Sequence, residues 1–293
     1  MKKIGFVGTG VMGQHMIRNL MKQGYEVSVF TRTKEKAEPL LDEGAIWKGS
    51  VAEVARVSEA VITIVGFPSD VEEVYFGAEG IIENASKGTF FIDMTTSSPE
   101  LAAEIASKAK SNGQVAWDAP VSGSDVFAEA GKLAIMVGGE EASFHHVRPI
   151  LEAMGENVVL QGPAGAGQHT KMSNQIAIAS TMMGVVEAIT YAEKAGLDPA
   201  IVMESIEHGA AGSFSLSKLG KKMIAEDFAP GFYVKHFIKD MDIAIASADR
   251  LELFTPGLRL AKELFEGLKE NGGENDGTQA LYKYYKWKTE GLV

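Results

Sequence analysis

Short runs of β-branched and aromatic residues alternate with stretches of helical period through the first half of the chain. The runs are "KIGFV" (Lys3–Val7), "EVSVF" (Glu26–Phe30), "AVITIV" (Ala60–Val65), "TFFID" (Thr89–Asp93), "LAIMV" (Leu133–Val137) and "NVVLQ" (Asn157–Gln161). Bounded by turn residues, they read as strands, and their alternation with helical segments predicts βαβ units on a mostly parallel sheet. The pattern stops at "GPAGAG", Gly162–Gly167. From there the period is almost entirely helical, beginning with a segment from Gln168 to Ala195 that shows no polar face. A helix apolar all round is expected to be buried, here between domains or between subunits. Gly196 stops it and Asp198-Pro199 opens the next helix. The expectation is an α/β domain over residues 1–162 followed by an all-α domain over residues 163–293.

The first strand runs into "GTGVMG", where Gly8, Gly10 and Gly13 stand in the order G-x-G-x-x-G before a helical pattern through Met16, Leu20 and Met21. In a strand-loop-helix context each glycine has a task. Gly8 makes the tight turn, Gly10 lets the backbone approach a pyrophosphate, and Gly13 lets helix and strand pack closely. The phosphates then meet the free N–H groups at the positive end of the helix. This predicts a Rossmann doubly wound sheet, with Thr9, Val11 and Met12 in the same loop and Ile64 and Val65, at the end of the third run, lining the dinucleotide.

About twenty residues after such a loop a carboxylate usually accepts hydrogen bonds from the adenine ribose of NAD. This chain has Thr31, Arg32, Thr33 and Lys34 there instead. A guanidinium grips a phosphate bidentately, hydroxyls add hydrogen bonds, and Lys34 adds charge. Either this is a solvated basic turn or it holds the extra phosphate of NADP; with the acidic residue missing as well, the pattern favours NADP while leaving NAD possible.

Two further segments carry candidate chemistry. "WDAPVSGS" ends a β-run with Pro120 and Gly123 breaking regular structure, so Ser122 and the amides of Gly123 and Ser124 are placed either to hold a small anion at a strand's carboxyl end or to form a plain surface turn. In "GPAGAGQHTKMSNQ" glycines precede a helix, with Lys171 one turn into it and Asn174 and Gln175 next on roughly the same face. A lysine leading an apolar helix either snorkels to solvent or faces a working cleft. Lys235 and Lys239 recur at i, i+4 with Asp240 beside them, a spacing that also suits a solvated helix face.

Composition narrows the classes. A formal charge of -11 disfavours nucleic acid and acidic membranes, so any basic patch is local and sized for a small anion. With no cysteine there is neither a disulfide framework nor a thiolate metal site, and six scattered histidines show no zinc spacing, so no metal is expected. His145 and His146, being adjacent, are read as surface residues on different helix faces. The apolar stretch Met172–Val186 reads as too short and too polar to cross a bilayer. Glycines interrupt the apolar start, which does not read as a signal peptide, and cytoplasm is the default location.

Together these motifs resemble the β-hydroxyacid dehydrogenases, the family of 3-hydroxyisobutyrate dehydrogenase and the glyoxylate and succinic semialdehyde reductases. "GFVGTGVMGQHMIRNL" looks like its amino-terminal signature, "DAPVSGS" its substrate motif, the GxxGxGxxxK pattern at Gly162–Lys171 its catalytic motif and "KDM" at Lys239–Met241 its cofactor-closing motif, all in order over nearly the whole chain. The resemblance implies Lys171 as the catalytic lysine and Ser122 and Gly123 as holders of the substrate carboxylate. It further implies cofactor contacts from Thr96 and Lys239, and a substrate end lined by Phe232 and Asp240. Two departures stand out: the family asparagine four residues after the lysine is Gln175 here, preceded by Asn174, and Ser124 replaces a typical glycine. Serine there, with "TRT", is more similar to the NADP-dependent semialdehyde reductases.

The implied reaction is hydride transfer between NADP(H) and a small 3-hydroxy acid or semialdehyde, with Lys171 as general acid/base. That role requires the lysine pKa to fall by ~2 to 3 units from about 10.4, which desolvation and a neighbouring cation such as Lys239 can supply. A 6-phosphogluconate dehydrogenase-like oxidative decarboxylase shares the fold and a lysine but carries a much longer helical domain. A non-catalytic NADP-binding module has no need of a costly lysine in a cleft. The expected partners are a small carboxylate substrate and further copies of the chain, as a homodimer or homotetramer.

Overall fold

β-branched and aromatic runs extend because a pleated strand accommodates their branched side chains, and in the middle of the sheet a run such as Ala60–Thr63 is buried along its whole length. The computed structural model describes residues 1–292. The strands are β1 (Lys3–Val7), β2 (Glu26–Phe30), β3 (Ile46–Trp47), β4 (Ala60–Thr63), β5 (Phe90–Asp93), β6 (Val115–Asp118), β7 (Val121–Ser122), β8 (Leu133–Gly138) and β9 (Gly155–Gly162). Between them lie α1 (Val11–Lys22), α2 (Glu38–Asp42), α3 (Val51–Val57), α4 (Pro68–Phe76), α5 (Ile81–Asn84), α6 (Pro99–Ser111), α7 (Asp125–Glu129) and α8 (Glu141–Glu152). All belong to one nine-stranded sheet ordered β3-β2-β1-β4-β5-β6-β8-β7, with β9 paired to β8. From β3 to β6 every neighbouring pair is parallel. This is the Rossmann order, whose direction of winding reverses between β1 and β4. β8 runs antiparallel to β6 and β7. Two buried clusters flank the sheet, one around Phe6, Leu20, Trp117 and Ile135, the other around Val54, Val61, Tyr75 and Phe91.

After β9 the chain is helical: α9 (Ala166–Lys194), α10 (Pro199–Ile206), α11 (Lys221–Ile224), α12 (Val234–Arg250), α13 (Pro256–Leu268) and α14 (Leu281–Glu290). Their core gathers Met182, Val186 and Ile189 of α9 with Phe237 and Met241 of α12 and Phe265 of α13. The chain divides into two units, Met1–Lys171 and Met172–Val293. The division lies beyond the turn at residue 163 expected from the glycines, because the first turn of α9 is bonded to the sheet domain.

Two expectations need correction. α9 is 29 residues long and does have an outer face: Ser173, Ala177, Ser180, Gly184, Glu187 and Tyr191 are exposed along it. Small residues, Ser173, Ala177, Ser180 and Gly184, form most of that stripe, with Glu187 and Tyr191 only at its far end, so it left little polar period in the sequence. At that length α9 is also long and apolar enough to cross a membrane, unlike the shorter stretch Met172–Val186. It nevertheless serves as a core helix of the second unit, with Ala179, Met182 and Val186 buried. Finally, His145 and His146 are exposed, yet their ring centroids lie 3.9 Å apart, so these neighbours lean together rather than apart.

Candidate active site

The loop after β1 is shaped by close approach. Gly8 has φ +107°, and a Cβ there would lie 2.1 Å from the Ile64 carbonyl oxygen. A Cβ on Gly13 would lie 2.1 Å from the carbonyl oxygen of Gly8, so α1 rests directly on the loop. Gly10 differs: its backbone is extended (φ −68°, ψ −173°), and a Cβ would meet nothing within 4 Å. Gly10 is the N-cap of α1 without a side-chain cap, leaving first-turn N–H groups of the helix available. Beside it Thr9 is buried with its hydroxyl unpartnered. An open cradle, uncapped amides and an orphan hydroxyl at a helix N-terminus fit the pyrophosphate of a dinucleotide.

The other sheet-domain residues sit at the carboxyl ends of neighbouring strands. Thr31–Lys34 follow β2, Ile64 and Val65 follow β4, and Thr96 follows β5. Arg32 projects into solvent, its side chain 77% exposed, while Nη1 donates to Asp70 Oδ1 at 3.0 Å. Asp70 is itself held, because its Oδ2 accepts the Phe67 N–H at 3.0 Å. Thr33 is exposed and Thr31 half-buried, and Lys34 lies over the Trp47 ring at 5.6 Å. Val65 N–H donates to Thr95 Oγ1 at 3.0 Å, which ties the loop after β4 to the one bearing Thr96. After β6, Ser122 and Ser124 are half-buried and Gly123 is exposed with φ +134°, a conformation that favours glycine. Lys171, on α9, is 7% exposed, so it does not reach solvent as a snorkelling lysine would.

A polar array lies within the second unit. Asn174 Nδ2 donates to Gln175 Oε1 at 2.7 Å, and Gln175 Nε2 donates to Asp240 Oδ2 at 2.6 Å. The other Asp240 oxygen pairs with Lys239 Nζ at 2.8 Å. Gln175 and Asp240 are almost wholly buried. The methylene that separates glutamine from the family asparagine is thus used to reach across to α12. Phe232 is partly exposed with its ring 5.6 Å from that of Phe237. Nearby, burial and then Lys239 and Lys235 push the His236 pKa down.

Sequence reasoning missed a buried acidic layer under the strand ends. Asp93 closes β5, and its Oδ1 accepts from the Thr63 hydroxyl at 2.8 Å and the Thr95 N–H at 3.1 Å. Asp118 closes β6, its two oxygens accepting the N–H groups of Gly165 and Gln168, each at 2.7 Å. Burial raises both carboxyl pKa values to about 6, against the lowering effect of these donors. A carboxylate closing an otherwise apolar run was the available signal.

Comparisons with known proteins bear on this arrangement. Residues 3–162 match the NAD binding domain of 6-phosphogluconate dehydrogenase, and residues 165–285 match the NAD-binding region of NADP-dependent 3-hydroxyisobutyrate dehydrogenase. The chain belongs to the β-hydroxyacid dehydrogenase family. It is accordingly an NAD(P)-dependent oxidoreductase of the 3-hydroxyacid dehydrogenase and semialdehyde reductase class. An uncharacterised oxidoreductase of Bacillus subtilis, YkwC, is 56% identical over 97% of this chain and 99% of its own. The 2-hydroxy-3-oxopropionate reductase of Escherichia coli is 38% identical over 95% of each. Among solved structures, 3-hydroxyisobutyrate dehydrogenase of Mycobacterium tuberculosis with L-serine superposes with a TM-score of 0.89 at 28% identity, covering 98% of this chain and 99% of that one.

Proposed function

We propose that this dehydrogenase prefers NADP(H), reduces a small semialdehyde or oxidises the corresponding 3-hydroxy acid, and uses Lys171 as its general acid/base. The observation carrying this reading is a lysine 7% exposed in the helix that follows the glycine motif, in a chain of this family. When bound, the nicotinamide supplies or accepts the hydride. The chain's residues do the rest. Ser122 and the backbone amides of Gly123 and Ser124 bind the substrate carboxylate. Lys171 gives a proton to the carbonyl oxygen during reduction and takes it from the hydroxyl during oxidation, a role worth roughly 10²- to 10⁴-fold. Arg32, already held by Asp70, receives the 2′-phosphate, with the Thr31 and Thr33 hydroxyls beside it. The array Asn174, Gln175, Asp240 and Lys239 is set by its own hydrogen bonds to act on substrate and cofactor as the family resemblance assigns.

The exposed stripe of small residues on α9, with Tyr191 at 75% exposure, supports a homodimer or homotetramer, because small side chains let a second helix approach closely. Light scattering should give at least twice the chain mass of 31.4 kDa. The functional reading is tested by a panel of small semialdehydes and 3-hydroxy acids assayed with NADPH, NADH and their oxidised forms. It expects turnover on at least one, faster with NADP(H). No turnover on any, or a preference for NAD(H), contradicts it.

A further inference from the structure

Gln168 is fully buried and hydrogen-bonded through both ends of its side-chain amide. Its Oε1 accepts the Ser97 N–H at 3.0 Å, and its Nε2 donates to the Thr95 carbonyl oxygen at 2.7 Å. Those two backbone groups flank Thr96. The backbone N–H of Gln168 donates to Asp118 Oδ2 at 2.7 Å, while the other Asp118 oxygen takes the Gly165 N–H. The glycines around it allow this clamp: a Cβ on Gly167 would lie 2.3 Å from the Met136 carbonyl oxygen and 2.8 Å from Asp118 Oδ2. Lys171 follows on the next turn of the same helix, three residues on. One side chain therefore joins the strand-end segment that bears Thr96 to the helical turn that bears the lysine.

We propose that Gln168 is a positioning residue, whose amide fixes the Thr95–Ser97 segment against the first turn of α9 and so sets the cofactor contact of Thr96 and the turn of Lys171 in one frame. The proposal rests on the reading of Thr96 as a cofactor contact and of Lys171 as the acid/base. Chemistry favours an amide here, because the site asks for an acceptor and a donor on two separate atoms at once, a pair that neither a carboxylate, an ammonium nor the single oxygen of a hydroxyl presents. The ionisable groups of the surrounding network are Asp118, in contact with Gln168, then Asp93 and Tyr75 joined through Thr63, with His169 and Lys171 on the same helix.

Two variants test it. Gln168→Leu keeps the volume and removes both bonds. NADPH affinity, measured by fluorescence titration on folded protein, should weaken about tenfold, and kcat should fall about 10- to 100-fold, since misplacement by about an ångström can cost of order 10²-fold. Gln168→Glu offers the same pair only while its carboxyl is protonated. Its affinity and turnover, each relative to the wild type, should recover as the pH is lowered, a signature that loss of packing alone would not produce. If Gln168→Leu fails to fold, Gln168→Glu decides. Variants that unfold more easily but bind NADPH and turn over within twofold of the wild type at every pH overturn the proposal. NADPH affinity does not depend on Lys171 chemistry, so failure here is distinguishable from failure of the acid/base reading, which Lys171→Ala tests.

Discussion

Gly10→Ala separates cofactor binding from folding. The backbone at Gly10 (φ −68°, ψ −173°) is open to alanine, and the new Cβ would meet no atom within 4 Å, so neither strain nor packing opposes the change. Fold stability should stay the same or rise by up to about 1 kcal/mol, because alanine restricts the unfolded chain. The Cβ instead fills the space into which a pyrophosphate must come to reach the first-turn amides of α1. Displacing the phosphates loses one or two charge-assisted hydrogen bonds of about 1.5–3 kcal/mol each, partly recovered through water, which we take as ~2–4 kcal/mol in sum. At about 1.4 kcal/mol per tenfold that is a ~30- to 1000-fold weaker Kd. Gly13→Ala is the contrasting control. Its Cβ would lie 2.1 Å from the Gly8 carbonyl oxygen, so it should destabilise the fold by at least ~1–3 kcal/mol. NADPH fluorescence titration and urea unfolding of both variants supply the readouts. If Gly10→Ala binds NADPH within twofold of the wild type, this loop is not the pyrophosphate cradle.

Other changes probe the remaining sites. Arg32→Asp should raise the KM for NADPH far more than that for NADH, because it removes the charge held by Asp70 and adds a repelling one; equal effects on both cofactors would remove Arg32 from the phosphate site. Asp93 has its pKa raised to about 6, so the stability tied to its protonation is present below the unfolded value of 3.8 and lost as pH rises through about 6. The shift of about 2 units corresponds to at most about 3 kcal/mol. Asp93→Asn, which keeps an acceptor for Thr63 and Thr95, should lack this part of the decline between about pH 4 and 7 in urea titrations, and an unchanged pH slope would refute the assignment. Gln175→Asn should keep turnover and alter preference among substrates, while losing ~1.5–3 kcal/mol of unfolding free energy as the charge-assisted bond to Asp240 is broken. Unchanged stability would show that bond to be dispensable.

Features carried by neighbouring residues were legible from the chain alone. The glycine loop, the basic turn after β2 and the alternation that makes the sheet are local patterns, and each has a local physical cause. Gly13 illustrates this, since its close approach is to the Gly8 carbonyl oxygen five positions back in the same motif. What escaped notice is built from distant pairs. Asp118 meets Gly165 and Gln168 across 47 and 50 positions, and Gln175 meets Asp240 across 65. Such bonds leave no period, and an aspartate ending an apolar run is equally compatible with a solvated loop. The outer stripe of α9 was hidden for a different reason: serine, alanine and glycine are small enough to pass for core, so only the packing of the second unit shows which way they face.

Lys171→Ala separates proton exchange at the lysine from cofactor binding at the glycine loop. NADPH oxidation by wild type and variant should be followed on the best semialdehyde of the panel, alongside NADPH titration. Cofactor affinity should stay nearly unchanged and kcat should fall by roughly 10²- to 10⁴-fold, with loss of the limb of the pH–rate profile that belongs to this group. Lys171→Arg should not restore turnover, because a guanidinium stays protonated. Near-normal turnover in Lys171→Ala would contradict the account and leave the lysine a structural residue.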